Sequence, residues 1–189
     1  MPASVEFTST EVTVSQYTAC IRAGNCTEPK SKSENKFCNY GYADRDIHPI
    51  NCVDWNQAEV YCRWVGGRLP TENEWQLEAS NKGTREFSWG NEPATCENAI
   101  WSQGGASGCG KDSTWPVCSR PKGKSISGLC DMTGNVLEWT SSARDSARVL
   151  RGGSWLSSNP VGLRSMLRTQ NDPMTKRDDI GFRCARVPQ

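Results

Sequence analysis

Ten cysteines spread through 189 residues, beside a single histidine, constrain this chain more than any other feature. No two cysteines are closer than six positions, so the close Cys and His spacing of a zinc site is absent, and His48 alone cannot complete one. An even, scattered count predicts a disulfide framework, which persists in oxidising compartments. We therefore expect an extracytoplasmic or secreted protein in which every cysteine is a structural staple: Cys20, Cys26, Cys38, Cys52, Cys62, Cys96, Cys109, Cys118, Cys130 and Cys184.

Length and charge further narrow the classes of protein to which this chain can belong. A chain of 189 residues suits one well-buried domain, which we place at 1–189. The chain has 22 Lys and Arg residues against 21 Asp and Glu residues. Its net charge is near zero and would not attract the phosphates of a nucleic acid, so we expect no nucleic-acid partner. No apolar run is long enough for a membrane span, and the first residues lack signal-peptide features. Either a leader is removed or the chain is part of a larger protein.

Local patterns predict short helices separated by irregular chain. Three segments begin with a hydroxyl or carboxylate residue followed three positions later by Gln or Glu, the pattern of a capping box, at Thr13 and Gln16, Asp54 and Gln57, and Thr71 and Glu74. Glycines suited to end these helices follow at Gly24, Gly66 and Gly83. Residues 80–128 show no hydrophobic period of a helix or a strand. Strand-like runs follow at 148–150 and 181–187. The pattern alone predicts a small, disulfide-stapled α+β domain.

Six ordered blocks, the last a closing motif, carry a resemblance to a known family. They are His48-Pro-Ile-Asn-Cys-Val-Asp-Trp55, Ala58-Glu-Val-Tyr-Cys-Arg-Trp64, Gly67-Arg-Leu-Pro-Thr-Glu-Asn-Glu-Trp75, Trp89-Gly-Asn91, Gly128-Leu-Cys-Asp-Met-Thr-Gly-Asn-Val-Leu-Glu-Trp139, and Arg148-Val-Leu-Arg-Gly-Gly-Ser-Trp155 closing with Ile180-Gly-Phe-Arg-Cys184. In this order they resemble the formylglycine-generating enzyme, or sulfatase-modifying factor, family. The resemblance implies an irregular C-type lectin-like fold with little regular secondary structure.

The resemblance also predicts that the family's oxidase chemistry is lost. Sulfatase-oxidising members place two copper-binding cysteines after the Arg-Gly-Gly-Ser-aromatic motif, where this chain has Ser157 and Gly162. A hydroxyl or a hydrogen cannot replace a thiolate on Cu(I). The iron of a related branch needs two or three histidines, so we expect neither copper nor iron, and no catalytic residue. Ser154 and His48 are interpreted as hydrogen-bonding structural residues.

Calcium is the ligand that the resemblance favours. Hard cations prefer carboxylate, amide and carbonyl oxygens on loops. The family carries calcium at the segment matching Gly134–Glu138, which predicts side-chain ligands from Asn135 and Glu138 and a backbone carbonyl from Gly134 or Val136. The alternative is that Asn135 caps a turn and Glu138 pairs with an arginine. A second, looser site would use Asn98, Asp112 and the carbonyls of Ala99 or Ile100 and of Thr114.

The polar stretch 156–179 is the predicted binding face for a protein or small ligand. In lectin-like folds partners dock on this surface, and some phage and bacterial relatives diversify it. A rigid scaffold with tolerant loops suits recognition. The alternative is that Leu163 and Leu167 belong to the core and the charges form a solvated rim. The residues assigned to the face are Leu156, Ser157, Asn159, Val161, Met166 and Leu167.

The resemblance implies one disulfide, Cys62 with Cys184, because the family joins its Tyr-Cys-x-Trp helix to its Gly-Phe-Arg-Cys end. Spacing cannot fix the rest. Proximity suggests Cys20 with Cys26, Cys38 with Cys52, Cys96 with Cys109, and Cys118 with Cys130.

The leading hypothesis is a non-catalytic, lectin-like binding or scaffold domain, bacterial in style, that holds structural calcium. The competing hypothesis is an oxidase acting on a peptide or small substrate. A third is a structural appendage of a larger extracellular or kinase-linked protein.

Overall fold

The structure, a computed structural model, describes residues 5–188. Its helices are short and its strands are separated by long loops. Helices α1, α2 and α3 span Val14–Arg22, Trp55–Trp64 and Glu72–Ala79; a single turn, α4, spans Ser107–Gly110; and 3₁₀ turns span Pro121–Gly123 and Pro160–Leu163. Strands β1 to β6 span Glu6–Phe7, Leu137–Arg144, Ala147–Arg151, Arg168–Asn171, Ile180–Gly181 and Ala185–Arg186.

All three predicted capping boxes form. The side chains of Thr13, Asp54 and Thr71 each accept a hydrogen bond from the backbone N–H three residues later, and that residue's side chain returns a bond to the cap N–H. The helices therefore begin where the sequence predicts them to begin. The three glycines predicted to follow them all have positive φ, at 73° for Gly24, 77° for Gly66 and 86° for Gly83.

The main sheet has the strand order β4-β3-β2-β5. Strand β3 pairs antiparallel with both β2 and β4, while β5 runs parallel to β2. Strands β1 and β6 form a separate antiparallel pair. The predicted run 148–150 is confirmed as part of β3, whereas the predicted run 181–187 divides into β5 and β6. It divides because Arg183 turns inward to Glu138, and Phe182 and Cys184 accept backbone bonds from the N-terminal segment.

The largest core cluster lies between the sheet and the first two helices. Tyr17 of α1 stacks on Tyr61 of α2 at 5.6 Å between ring centroids, and Phe182 meets both rings edge-on. Trp139 of β2 is fully buried in the same cluster. Aromatic side chains each bury a large apolar area, so these contacts join the helices to the sheet.

Five disulfides complete the fold, and they are the five pairs that the resemblance and proximity indicated. They join Cys20 to Cys26, Cys38 to Cys52, Cys62 to Cys184, Cys96 to Cys109, and Cys118 to Cys130. Two of them tie down the irregular stretch 80–128, and Cys62–Cys184 links α2 to the chain before β6. The framework is typical of an extracellular environment. Within residues 5–188, no helix combines the length and apolarity that crossing a bilayer requires.

Candidate functional site

A tight turn after β3 builds the candidate site. Gly152 and Gly153 have φ of 97° and 72°, a region that favours glycine. A Cβ on Gly152 would lie 3.1 Å from the Trp75 ring, and one on Gly153 would lie 2.7 Å from Leu163 Cδ2. Both the backbone conformation and the lack of space therefore require glycine at these two positions. The chain turns sharply here and places Ser154 on the wall of a pocket.

Trp155 anchors the other end of this turn. Its backbone N–H donates to the Asn135 carbonyl at 2.8 Å, and its indole N–H donates to the Asp178 carbonyl at 3.1 Å. Its ring packs against Phe37 with centroids 5.5 Å apart. Three separate segments thereby fix the turn, so the residues that follow Trp155 leave from a rigid base.

The pocket beside the turn has a volume of about 380 Å³ and is polar. Asp179 lies on its wall, only 2% exposed. Arg177 donates to both of its carboxylate oxygens at 2.8 Å, and the Ser154 hydroxyl donates to Oδ2 at 3.3 Å. The Ser154 hydroxyl also accepts from the Leu156 N–H. Ser154 is therefore held by hydrogen bonds to the turn and to Asp179, which agrees with its interpretation as a hydrogen-bonding structural residue. No sequence motif marks Arg177 or Asp179, although both lie in the stretch 156–179.

Ser157 and Gly162, at the family's copper positions, face each other in this pocket. A Cβ on Gly162 would lie 4.0 Å from Ser157 Cβ, a separation found between paired cysteines. The Ser157 hydroxyl instead accepts a hydrogen bond from the Ser154 N–H at 2.9 Å. All ten cysteines are disulfide-bonded, so the chain has no thiolate to offer copper. The residues present do not fit a Cu(I) site.

His48 lies outside this pocket. Its Nδ1 is 2.9 Å from the Thr114 hydroxyl, and burial lowers its pKa to about 4, with help from the nearby Arg45 charge. The imidazole is therefore neutral at physiological pH and forms a structural hydrogen bond, as the sequence analysis interpreted it.

The predicted binding face is exposed but lies on both sides of the 3₁₀ turn Pro160–Leu163. Leu156, Ser157 and Asn159 border the polar pocket. The other three residues of the face line a second groove of about 470 Å³, opposite the segment 83–86: Val161, Met166 and Leu167.

The alternative core assignment is correct for one leucine and wrong for the other. Leu163 is fully buried, whereas Leu167 is 43% exposed. Leu163 is the buried residue of the 3₁₀ turn Pro160–Leu163. The exposed apolar side chains of the face therefore lie before and after it along the chain.

The predicted calcium segment contains a buried ion pair. Glu138 and Arg183 are both fully buried, with Arg183 Nε 2.9 and 2.8 Å from the two oxygens of Glu138 and Nη2 2.7 Å from Oε1. The Trp75 indole N–H donates to Glu138 Oε2 at 2.7 Å. Glu138 lies on β2 with its carboxylate fully used, so a cation at this position would have to displace Arg183.

The side chain of Asn135 is likewise bound to protein groups. Its side-chain oxygen accepts from the Trp115 N–H at 3.0 Å, and its side-chain amide donates to Glu11 at 2.8 Å. Gly134 and Asn135 both have positive φ, which opens the turn. The Val136 N–H also donates to the Glu11 carboxylate, at 3.1 Å. As they stand, the side chains predicted for the first calcium site bind protein groups instead.

Glu11 belongs to a buried acidic group, with Asp131 and Glu138, that no sequence motif predicts. Burial raises the pKa of Glu11 well above its usual value, and the neighbouring Asp131 and Glu138 raise it further. Burial also raises the pKa of Asp131, to about 6. The charge of Arg183 opposes both shifts. The positive charge of Arg183 therefore interacts with three buried carboxyl groups, those of Glu11, Asp131 and Glu138.

The residues predicted for the second calcium site are bound to fewer protein groups. Asn98 Oδ1 accepts from the Thr95 N–H at 2.8 Å, and Ile100 O accepts from the Asn135 N–H. The exposed Asp112 carboxylate makes no hydrogen bond to the described residues. No group of three or more His, Cys, Asp or Glu suited to a metal occurs within residues 5–188.

Comparison with known proteins decides the family. The model of the sulfatase-modifying factor enzyme 1-like domain matches residues 3–188. The chain belongs to this family. An inactive C-alpha-formylglycine-generating enzyme 2 of Bos taurus is 37% identical over 159 residues, 77% of this chain and 52% of the relative. A formylglycine-generating enzyme of Streptomyces coelicolor is 36% identical over 173 residues, 75% of this chain and 53% of the relative.

The chain thus spans about half the length of these two family members. Among solved structures, Treponema denticola variable protein 1 superposes with a TM-score of 0.77 at 22% identity, covering 97% of this chain and 84% of that one. At this identity the likeness shows the fold alone, which is the C-type lectin-like fold that the resemblance implied.

Proposed function

We propose that this chain is a non-catalytic binding domain of the sulfatase-modifying factor family, which holds a protein or small ligand at residues 156–179. The observation that carries the proposal is the pair Ser157 and Gly162. The backbone places these two positions face to face, with 4.0 Å between Ser157 Cβ and a Cβ built on Gly162, while neither residue can bind Cu(I). A relative named as inactive supports the same conclusion.

The direct test is an aldehyde assay. The purified chain, supplied with copper and a cysteine-containing sulfatase peptide, should form no formylglycine, whereas the Streptomyces coelicolor enzyme should form it under the same conditions. Mass spectrometry of the peptide gives the readout. Turnover by this chain would establish the alternative, an oxidase of the sulfatase-modifying-factor type.

The binding role can be tested separately by loop tolerance. Four residues of the predicted face are exposed and apolar, namely Leu156, Val161, Met166 and Leu167, so randomising them together should leave the melting temperature almost unchanged. Randomising the buried Leu163 and Asp179 is the matched control and should destabilise the fold. A library of face variants should then yield binders to unrelated proteins; collapse of most face variants would argue against a recognition scaffold.

We further propose structural calcium, with Asp112 the free carboxylate that supports it. A ligand that binds only the native form raises stability by about 2.7 kcal/mol at a hundred times its Kd. Calcium should therefore raise the melting temperature, and Asp112→Asn should remove the increase if the second site binds it. A melting temperature that does not respond to calcium would end this proposal without affecting the binding proposal.

A further inference from the structure

Strand β4 ends the main sheet. It pairs with β3 on one side, and within residues 5–188 no strand pairs with its other side. Arg168, Thr169 and Gln170 are exposed, and Asn171 is half-buried. An edge strand presents unpaired N–H and C=O groups to which another chain can bond.

The register shows which backbone groups face outward. In an antiparallel sheet, residues alternate between pairs that exchange hydrogen bonds with a given neighbour and pairs that do not. The Val149 carbonyl accepts from the Thr140 hydroxyl of β2 at 2.9 Å, so it faces β2 and not β4. Gln170 lies opposite Val149 in the register. The N–H and C=O of Gln170 therefore point away from β3, to the open side of the sheet.

A pocket lies on each face of this edge. Leu150, opposite Thr169, lines the polar pocket of about 380 Å³. Val149, opposite Gln170, lines a different pocket of about 270 Å³ together with Arg144 and Arg168. Side chains of a strand alternate between the two faces of a sheet. A strand laid along β4 would place successive side chains in the two pockets alternately.

The charges favour one kind of side chain in the smaller pocket. Arg144 makes no ion pair with the described residues, and Arg168 shares the carboxylate of Glu72 at 3.2 Å while its side chain stays 49% exposed. An acidic side chain entering here would meet two guanidinium groups, which bind carboxylates through charged hydrogen bonds.

We propose that an extended peptide segment of a protein partner adds to β4 as a fifth strand, bonding to the backbone of Gln170 and directing an acidic side chain toward Arg144 and Arg168. The inference rests on the binding function proposed above and specifies its partner. Main-chain bonds would supply affinity and the two pockets specificity, as in other cases of strand addition.

The experiment uses a phage-displayed library of random seven-residue peptides selected on the purified chain. Gln170→Pro removes the outward N–H without removing a bond to β3, and edge strands tolerate proline. Gln170→Ala, which keeps the N–H, is the matched control. Selected peptides should bind Gln170→Pro about tenfold more weakly than the wild type and Gln170→Ala almost equally well. Arg144→Glu should disfavour acidic peptides.

Circular dichroism melting of each variant confirms that the fold is intact. Equal binding to Gln170→Pro and the wild type, failure to select any peptide, or a concentration-dependent dimer abolished by Gln170→Pro would each overturn the inference, the last in favour of a second copy. Binders obtained from the randomised face would survive any of these results, so the wider binding proposal fails or stands separately.

Discussion

Restoring both cysteines at the family's copper positions tests whether the scaffold has kept the geometry. In Ser157→Cys/Gly162→Cys the two Cβ atoms would lie 4.0 Å apart, within the 3.5–4.5 Å typical of disulfides. Gly162 does not have positive φ, and outside its own turn the nearest described atoms to the added Cβ are those of Ser157, at 4.0 Å. The double variant should therefore fold and form a sixth bridge.

The magnitude follows from two opposing terms. Closing a loop of about six residues stabilises the protein by about 2 kcal/mol in the chain-entropy model. Losing the hydrogen bond from the Ser154 N–H to the Ser157 hydroxyl costs about 1 kcal/mol. The double variant should therefore melt roughly 2–4 °C above the wild type, and Ser157→Cys alone should melt below it.

Thiol counting by mass spectrometry and thermal melting measure both effects. After mild reduction of the new bridge, Cu(I) titration should show one ion bound per double variant and none per single variant. Two thiols that remain free under oxidising conditions, with no copper bound after reduction, would show that the pocket does not hold these positions face to face.

Three further perturbations test the buried charges and the packing. Glu138→Gln should lower the free energy of unfolding by about 3–5 kcal/mol because it removes the carboxylate that binds the buried Arg183 directly. Glu97→Gln, at the exposed pair with Lys122, should change the urea midpoint little. The raised pKa of Asp131, about 6, means that its contribution to stability is full below the unfolded pKa near 3.8 and is lost as pH rises through 6. Chemical denaturation from pH 4 to 7 should show this loss, and Asp131→Asn should reduce it. Gly181→Ala should cost roughly 1–3 kcal/mol, since its Cβ would lie 2.6 Å from the Ile50 carbonyl.

Local chemistry made the helices predictable from the sequence. A capping box involves residues three positions apart, so the starts at Thr13, Asp54 and Thr71 could be identified without tertiary information. The resemblance supplied the topology, and proximity gave the four shorter disulfides. Strand β4 could not be identified in this way, because its residues Arg168–Asn171 are exposed or half-buried and carry no alternating apolar pattern.

The candidate site was predicted only in part. The positions of Ser157 and Gly162 follow from the Arg-Gly-Gly-Ser-aromatic motif and the family spacing after it. The ion pair of Arg183 with Glu138 and the position of Glu11 depend on segments far apart in sequence, and no local spacing reveals which carboxylate a buried guanidinium meets. The calcium prediction met the same difficulty, since oxygen-rich residues are suited equally to a cation and to an arginine.

The pairing of β1 with β6 places the two ends of the described chain side by side, with Glu6 opposite Arg186. Arg186 Nε also donates to Glu6 Oε2 at 2.9 Å. A domain whose entry and exit meet can be grafted into a surface loop of a host protein through short connectors. The loops around the Arg-Gly-Gly-Ser turn could then be displayed from such a chimera without rebuilding the scaffold.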